Sequence, residues 1–236
     1  MSELTNIAVI PARAGSKRIP NKNIRKFDGK PIIFYPIQAA LEAGIFSKVI
    51  VSTNSTEIAD IAQEFGAECL SLRPELLSGD EASTIEVIQY EISRYKNIAQ
   101  QFQNVACIYP ATPMLTGSLI KKAMQAFNAK ESDFCFPIVR NHVSSDRELI
   151  LQQTGLVTPS KNADLTRNTQ YSMNSYRDAG QFYLGSSKSW LRYESIFSAR
   201  CLGIEIPEYL GIDIDEESNW RHAELIYAGI QRDMTN

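Results

Sequence analysis

Histidine is nearly absent: His142 and His222 are the only two, too few for a histidine-built metal centre. The four cysteines, Cys69, Cys107, Cys135 and Cys201, are widely spaced and form no CxxC pair. That excludes zinc ribbons and dense disulfide scaffolds. Cys107 and Cys135 lie inside apolar runs, where a free thiol behaves as a small buried hydrophobe. No apolar run approaches the roughly 20 residues that cross a bilayer. No secretory leader precedes Asn6, so the expectation is a protein of the reducing cytoplasm with no membrane partner. Excess positive charge is missing as well. The formal net charge is −3, which argues against general nucleic-acid affinity. Neither a Walker-type GxxxxGKS/T loop nor a dinucleotide GxGxxG occurs, so two common phosphate-binding folds have no support.

What is present is the composition of an ordinary globular chain: 236 residues, 44% hydrophobic and 22% charged. One α/β domain, 1–236, is the expectation. Residues 7–10 form an apolar run suited to a strand buried on both faces. Residues 31–43 read as a helix with Pro31 in its first turn and Gly44 as its stop. A strand is expected at 48–52. A helix at 55–65 would be capped by Ser55 and ended by Gly66. Strands at 68–72, 105–109 and 133–139 alternate with helices at 83–99 and 118–129. Strands at 180–184 and 210–214 and a helix at 217–231 complete the pattern. Such alternation builds a mostly parallel sheet in a three-layer arrangement, with helices on both faces. Ligands then sit at the carboxyl ends of the strands, which singles out loops 11–30, 73–83, 110–117 and 140 onward. Between 141 and 178 the periodicity fails. A stretch of that length inside a compact domain is a functional insert, read as a lid or dimerisation element over 140–180 with some short antiparallel structure.

Acidic residues vanish where the first strand ends. Six of the 24 lysines and arginines fall between Arg13 and Lys26, and Asp28 is the first acid after Glu3. Such a cluster on a strand-to-helix loop suits a small polyanion, and Gly15 with Ser16 lets backbone N–H groups approach phosphates. A solvated basic loop is the competing reading.

Near the other end, GIDIDEE (211–217) alternates apolar and acidic residues. In a strand, Asp213 and Asp215 share one face about 6.6 Å apart, so the carboxylates can converge on one metal ion. Oxygen ligands alone suit Mg²⁺. The competing reading makes Asp215 the N-cap of the last helix and Asp213 a solvated edge residue. The basic loop favours the metal, because a triphosphate site needs cations and a divalent ion together.

PARAGSKRIPNKN (11–23) resembles the signature of sugar-activating nucleotidyltransferases, in particular the CMP-nonulosonate synthetases, cytidylyltransferases of nine-carbon α-keto acids. VSTNSTEIADIAQEFGAE (51–68), LRPELLSGDEAST (72–84) and the IDxD segment extend the resemblance over nearly the whole chain. IYPATPM (108–114) departs from the sialate branch, with Tyr109 where that branch has glutamine. RDAGQFYLG (177–185) and TRNTQ (166–170) look like the pseudaminic acid cytidylyltransferases, whereas the ketodeoxyoctonate branch has a shorter loop. The resemblance implies transfer between CTP and an anionic nine-carbon sugar, giving the CMP-sugar and pyrophosphate. It implies catalytic Arg13, Lys22, Asp213 and Asp215, the last two holding Mg²⁺, with Lys17 and Arg18 as lesser phosphate contacts. Nucleotide contacts fall on Ala12, Arg13, Gly15, Ser16, Lys22, Asn23, Arg73 and Ser83, and sugar contacts on Tyr109, Arg167, Gln181 and Tyr183. It also implies a cytoplasmic homodimer. Five of these positions have plainer readings: Ser83 as a helix cap, Arg73 as a surface arginine before Pro74, Tyr109 as core, and Gln181 with Tyr183 as an exposed antiparallel face. CMP-sialate or CMP-legionaminate synthesis, and a nucleotide-binding regulatory module without turnover, are the rival functions.

Overall fold

The computed structural model describes residues 5–96, 102–141, 149–160 and 175–235. Strand β1 (Thr5–Pro11) lies inside the sheet, one strand from its end, and its Ile7 to Ile10 run is wholly buried. A loop and a single turn at Lys22–Ile24 follow. A two-stranded hairpin, β2 (Lys26–Phe27) and β3 (Lys30–Pro31), comes next. Its Asp28 and Gly29 both adopt positive φ, 44° and 81°, the geometry of the tight primed turn that Asp-Gly favours. That turn takes Pro31 into a strand, so helix α1 (Phe34–Ala43) begins three residues later than the sequence suggests.

Strand β4 (Lys48–Ser52) and helix α2 (Thr56–Glu64) match expectation, with Ser55 accepting the Ile58 N–H as cap. Residues 68–72 do not form a strand. Glu68 makes one parallel bridge to Ile50 and the chain then leaves, because Leu70 and Leu72 have no apolar face to bury against and stay exposed. Helix α3 (Thr84–Lys96), strand β5 (Phe102–Ile108), helix α4 (Gly117–Ala129) and strand β6 (Phe134–Arg140) follow. Within the insert, β7 (Leu149–Leu151) and β8 (Val157–Pro159) pair antiparallel as a separate hairpin. Strand β9 (Tyr176–Asp178) lies antiparallel to β6. Strand β10 (Phe182–Ser186) wedges antiparallel between β5 and β6, and helix α5 (Ser187–Arg192) closes that turn.

Strand β11 (Cys201–Glu205) pairs parallel with β6. The sequence hides it, since the run is short and interrupted by Gly203. Conversely, residues 210–214 are not a strand. Instead of a neighbouring strand, side chains take this segment's carbonyls: Gln181 Nε2 donates to Leu210 O at 2.7 Å, Arg177 Nη1 to Gly211 O at 3.1 Å and Lys22 Nζ to Ile214 O at 2.7 Å. Helix α6 (Glu217–Thr235) ends the chain.

The main sheet has the order β11-β6-β10-β5-β1-β4, with β9 on β6. Side chains of β1 alternate between its faces. Ala8 and Ile10 pack with Ile37 of α1 and Ile120 of α4, whereas Ile7 and Val9 pack with Ile88 of α3 and Trp190 of α5. These are the three expected layers. A third cluster joins Phe27 and Tyr35 to Ile214 and Trp220. It fastens α6, and with it the acidic segment, beside the loop that follows β1.

Candidate active site

Strands β1 and β4 lie in parallel register up to Pro11 and Ser52, so their outgoing loops emerge side by side. Ala12, fully buried, continues the ladder by one bond from its N–H to Ser52 O at 2.9 Å. Beyond it the chain swings outward at Gly15, whose φ of 81° lies in the region that favours glycine. The basic loop forms one wall of a cleft of about 610 Å³. Arg73, Asp80, Tyr109 and Asp215 stand across from it. Gly15 itself faces a smaller recess behind the loop, shared with Ser55, while Ser16 lines both.

The cationic turn and the acidic segment meet. Lys22 Nζ lies 2.7 Å from Ile214 O and 3.4 Å from an Asp215 carboxylate oxygen, and Arg18 Nη2 lies 2.9 Å from the other. The Asp215 carboxylate therefore serves these cations and not the helix start. The N–H groups of Asp215 and Glu216 are taken by the Asn219 side chain instead. Asp213 opens to a second hollow, of about 560 Å³, on the far side of the segment with Arg177 and His222. Burial raises its carboxyl above the usual range and Asp215 adds to that, while Lys22 opposes it. At the cleft mouth Asp80 pairs with Arg13 Nη2 at 2.6 Å and with Lys17.

Two buried polar atoms near the cleft have no partner among the described residues: Oδ1 of Asn23 and Nη1 of Arg73. Asn23 spends its Nδ2 on Arg13 O at 2.9 Å, and Arg73 spends its Nε on Ser78 Oγ at 3.3 Å. Arg73 is 5% exposed, so it is no surface arginine. An unmet acceptor and an unmet donor buried in the cleft wall are polar groups that a ligand carrying both complements would satisfy.

Ser83 is a capping residue. Its Oγ accepts the Glu86 N–H at 3.2 Å, and Glu86 accepts the Ser83 N–H at 2.8 Å, a reciprocal box at the start of α3. Its neighbours Ala82 and Thr84 line the cleft. Tyr109 lines the cleft too, with its hydroxyl 3.2 Å from Thr84 Oγ1 and its ring edge-on to Tyr183 at 5.6 Å. Gln181 and Tyr183 do share a face, but that face is buried: 2% and 4% exposed. The Tyr183 hydroxyl donates to Asp178, and Gln181 tethers Leu210. The exposed antiparallel face is thus absent, and Gln181 acts on the segment that leads to Asp213. Arg167 and the TRNTQ stretch lie outside the described residues.

The donor set fits a hard cation. Asp213 and Asp215 stand within each other's field but, with no strand to put them on one face, line separate hollows, and among the described residues no third His, Cys, Asp or Glu completes a closed metal cage. An ion that keeps waters and borrows phosphate oxygens, as Mg²⁺ does, suits such a pair. Sequence reasoning did not single out Asp80, Arg177 or Asp178. Only Asp80 carried a signal, as an acid across from the acid-free loop.

A family model described as cytidylyltransferase matches residues 7–203. A pseudaminic acid cytidylyltransferase of Campylobacter jejuni is 35% identical over 224 residues, 95% of this chain and 97% of that one. The chain belongs to the cytidylyltransferase family. Among other relatives of this cytidylyltransferase, a CMP-N,N'-diacetyllegionaminic acid synthase of Legionella pneumophila is 30% identical, covering 93% of this chain and 95% of that one. The fold is shared with a solved CMP:2-keto-3-deoxy-manno-octonic acid synthetase complexed with CTP, at a TM-score of 0.72 and 16% identity over 95% of this chain and 99% of that one. As a member of that family the protein is a nucleotidyltransferase. The family-model match stops short of Asp213 and Asp215.

Proposed function

We propose that this cytidylyltransferase joins CTP to a nine-carbon α-keto acid sugar, pseudaminic acid, giving the CMP-sugar and pyrophosphate. The observation that carries the reading is the shared ion cluster of Lys22, Arg18 and Asp215. A loop built for polyanions meets the carboxylate of Asp215 at one cleft, with Asp213 on the hollow behind the same segment, an arrangement that a sensing module has no need of. The full-length likeness to a pseudaminic acid cytidylyltransferase selects the sugar.

The attacking group is the sugar's anomeric hydroxyl and the target is the α-phosphorus. Arg13 and Lys22, with Lys17 and Arg18, bind and orient the triphosphate. Positioning and charge neutralisation dominate such transfers. Asn23 and Arg73 take the base with their two unmet atoms, and Ser83 fixes the helix start beside the ribose. Asp213 and Asp215 would hold Mg²⁺, which when bound neutralises phosphate charge and favours departure of pyrophosphate. Tyr109 bounds the sugar end, and Arg167 reads the sugar carboxylate with a two-pronged contact. The active unit is a cytoplasmic homodimer joined through the insert at 140–180. No helix among the described residues is long and apolar enough to cross a membrane.

The test is pyrophosphate release with CTP, UTP and ATP crossed against pseudaminic, sialic and legionaminic acids. Turnover is expected with CTP and pseudaminic acid, and to require Mg²⁺. Faster turnover with sialic or legionaminic acid reassigns the sugar. Tight CTP binding with no release under any pairing makes the chain a regulatory module. In the same assay Arg167→Ala raises the sugar KM; an unchanged value removes Arg167 from the site.

A further inference from the structure

One buried charge behind the cleft wall takes no part in the chemistry above. Glu91, on α3, is 0% exposed. Its carboxylate accepts the Ser52 hydroxyl at 2.7 Å and meets Arg94 Nη1 at 3.1 Å through both oxygens. Arg94 continues outward, its Nη2 donating to Ser71 Oγ at 2.7 Å. One carboxylate thus ties the last residue of β4 to a residue two before Arg73. Just beyond these anchors the Arg73 N–H donates to Thr53 O at 2.6 Å. The backbone that delivers Arg73 is held from both sides.

The Arg73 guanidinium itself is poorly provided for. Among the described residues it forms no ion pair, and its side-chain partner is the neutral Ser78 hydroxyl. Burial works against its charge, and the field of Glu91 works for it. A buried ion pair is weak as a stabilising device, since apolar residues of like volume usually serve as well. The reason for a carboxylate at this point of α3 is to be sought in the charge it faces.

We propose that Glu91 is a positioning residue for base recognition, holding Arg73 in place in the wall of the nucleotide cleft. The inference rests on the reading of Arg73 as the residue that contacts the nucleobase.

The experiment compares Glu91→Gln with Arg73→Lys, measuring CTP affinity by calorimetry and kcat and sugar KM by kinetics. Glutamine keeps the shape and the bond from Ser52 but removes the charge. The expected result is CTP affinity weakened about tenfold in Glu91→Gln, the scale of one lost charge-assisted contact, with kcat and sugar KM unchanged. If Arg73→Lys weakens CTP and Glu91→Gln does not, the inference falls and the reading of Arg73 stands. If Arg73→Lys leaves CTP binding intact, the reading of Arg73 falls first. A parallel loss in kcat and both substrates makes Glu91 a general brace and overturns the proposal. Should Glu91→Gln fail to fold, Arg94→Lys, which loses the tie to Ser71 but keeps a cation beside Glu91, is expected to move CTP affinity in the same direction; no change there overturns the proposal.

Discussion

Lys22 does two jobs that no single motif announces: it holds a backbone carbonyl of the acidic segment and faces the Asp215 carboxylate. Among the described residues Asp213 has no such partner, and it faces the second hollow with its carboxyl raised by burial and by Asp215. A group held that way is poised for a cation and contributes nothing to stability by pairing. Asp213→Asn is therefore expected to lower kcat by about 10²–10³-fold, the scale of losing one essential electrostatic contact. Its circular dichroism and thermal midpoint should stay as in the parent. Turnover near the parent value would return the acidic couple to a structural role. At this scale the sequence was readable where residues form contiguous runs: the acid-free loop and Asp215 of the IDxD run line one cleft, whereas Asp213, expected on the same face, opens to the hollow behind it because the segment is not a strand. It was unreadable where a role depends on packing. Gln181 looked like a surface amide and is a buried tether, because the tether's other end, Leu210, is far away along the chain.

Elements built from local signals were legible, and those defined by distant partners were not. Buried β1, capped α2 and, apart from the expected strand at 68–72, the alternation through β6 follow from period and caps. The missed strand β11 depends on β6, and Gly203 obscures its pattern. The expected strand at 210–214 fails because three side chains, and no strand, satisfy its carbonyls. Gly211 shows how tightly this segment is seated. A Cβ there would lie 2.6 Å from Val139 Cγ1 and 3.3 Å from the Ala179 Cβ. Its φ is negative, so crowding alone is at issue. Gly211→Ala is expected to cost about 1–3 kcal/mol by overpacking. For a chain of this size each kcal/mol lowers Tm by about 2–4 °C. Because Asp213 lies two residues on, kcat should fall with Tm. Calorimetry and pyrophosphate release on the same sample check both, and a variant with parent Tm and kcat would mean that the segment gives way freely.

On the scale of the whole molecule, the β7–β8 hairpin is out of keeping with the rest. Leu149, Ile150, Leu151, Leu156 and Val157 are all exposed, Leu151 at 71%. An isolated two-stranded hairpin is marginal in water and needs an apolar backing, yet this one pairs with no other strand among the described residues. Apolar residues lie along both its strands, so cover from one side by its own domain would not suffice. A second copy presents the same apolar strands, and a two-fold arrangement lets each hairpin be covered once. Leu151→Glu places a charge in the middle of that surface, where burial without a partner is costly. Sedimentation velocity is expected to show a dimer for the parent and a monomer for the variant, with the α/β core intact by circular dichroism. If each monomer carries a complete site, the variant keeps its kcat; if the partner's insert closes the sugar end, the sugar KM rises while CTP affinity holds. A parent that sediments as a monomer would leave the exposed hairpin without its proposed cover and remove the insert from the role of dimer contact.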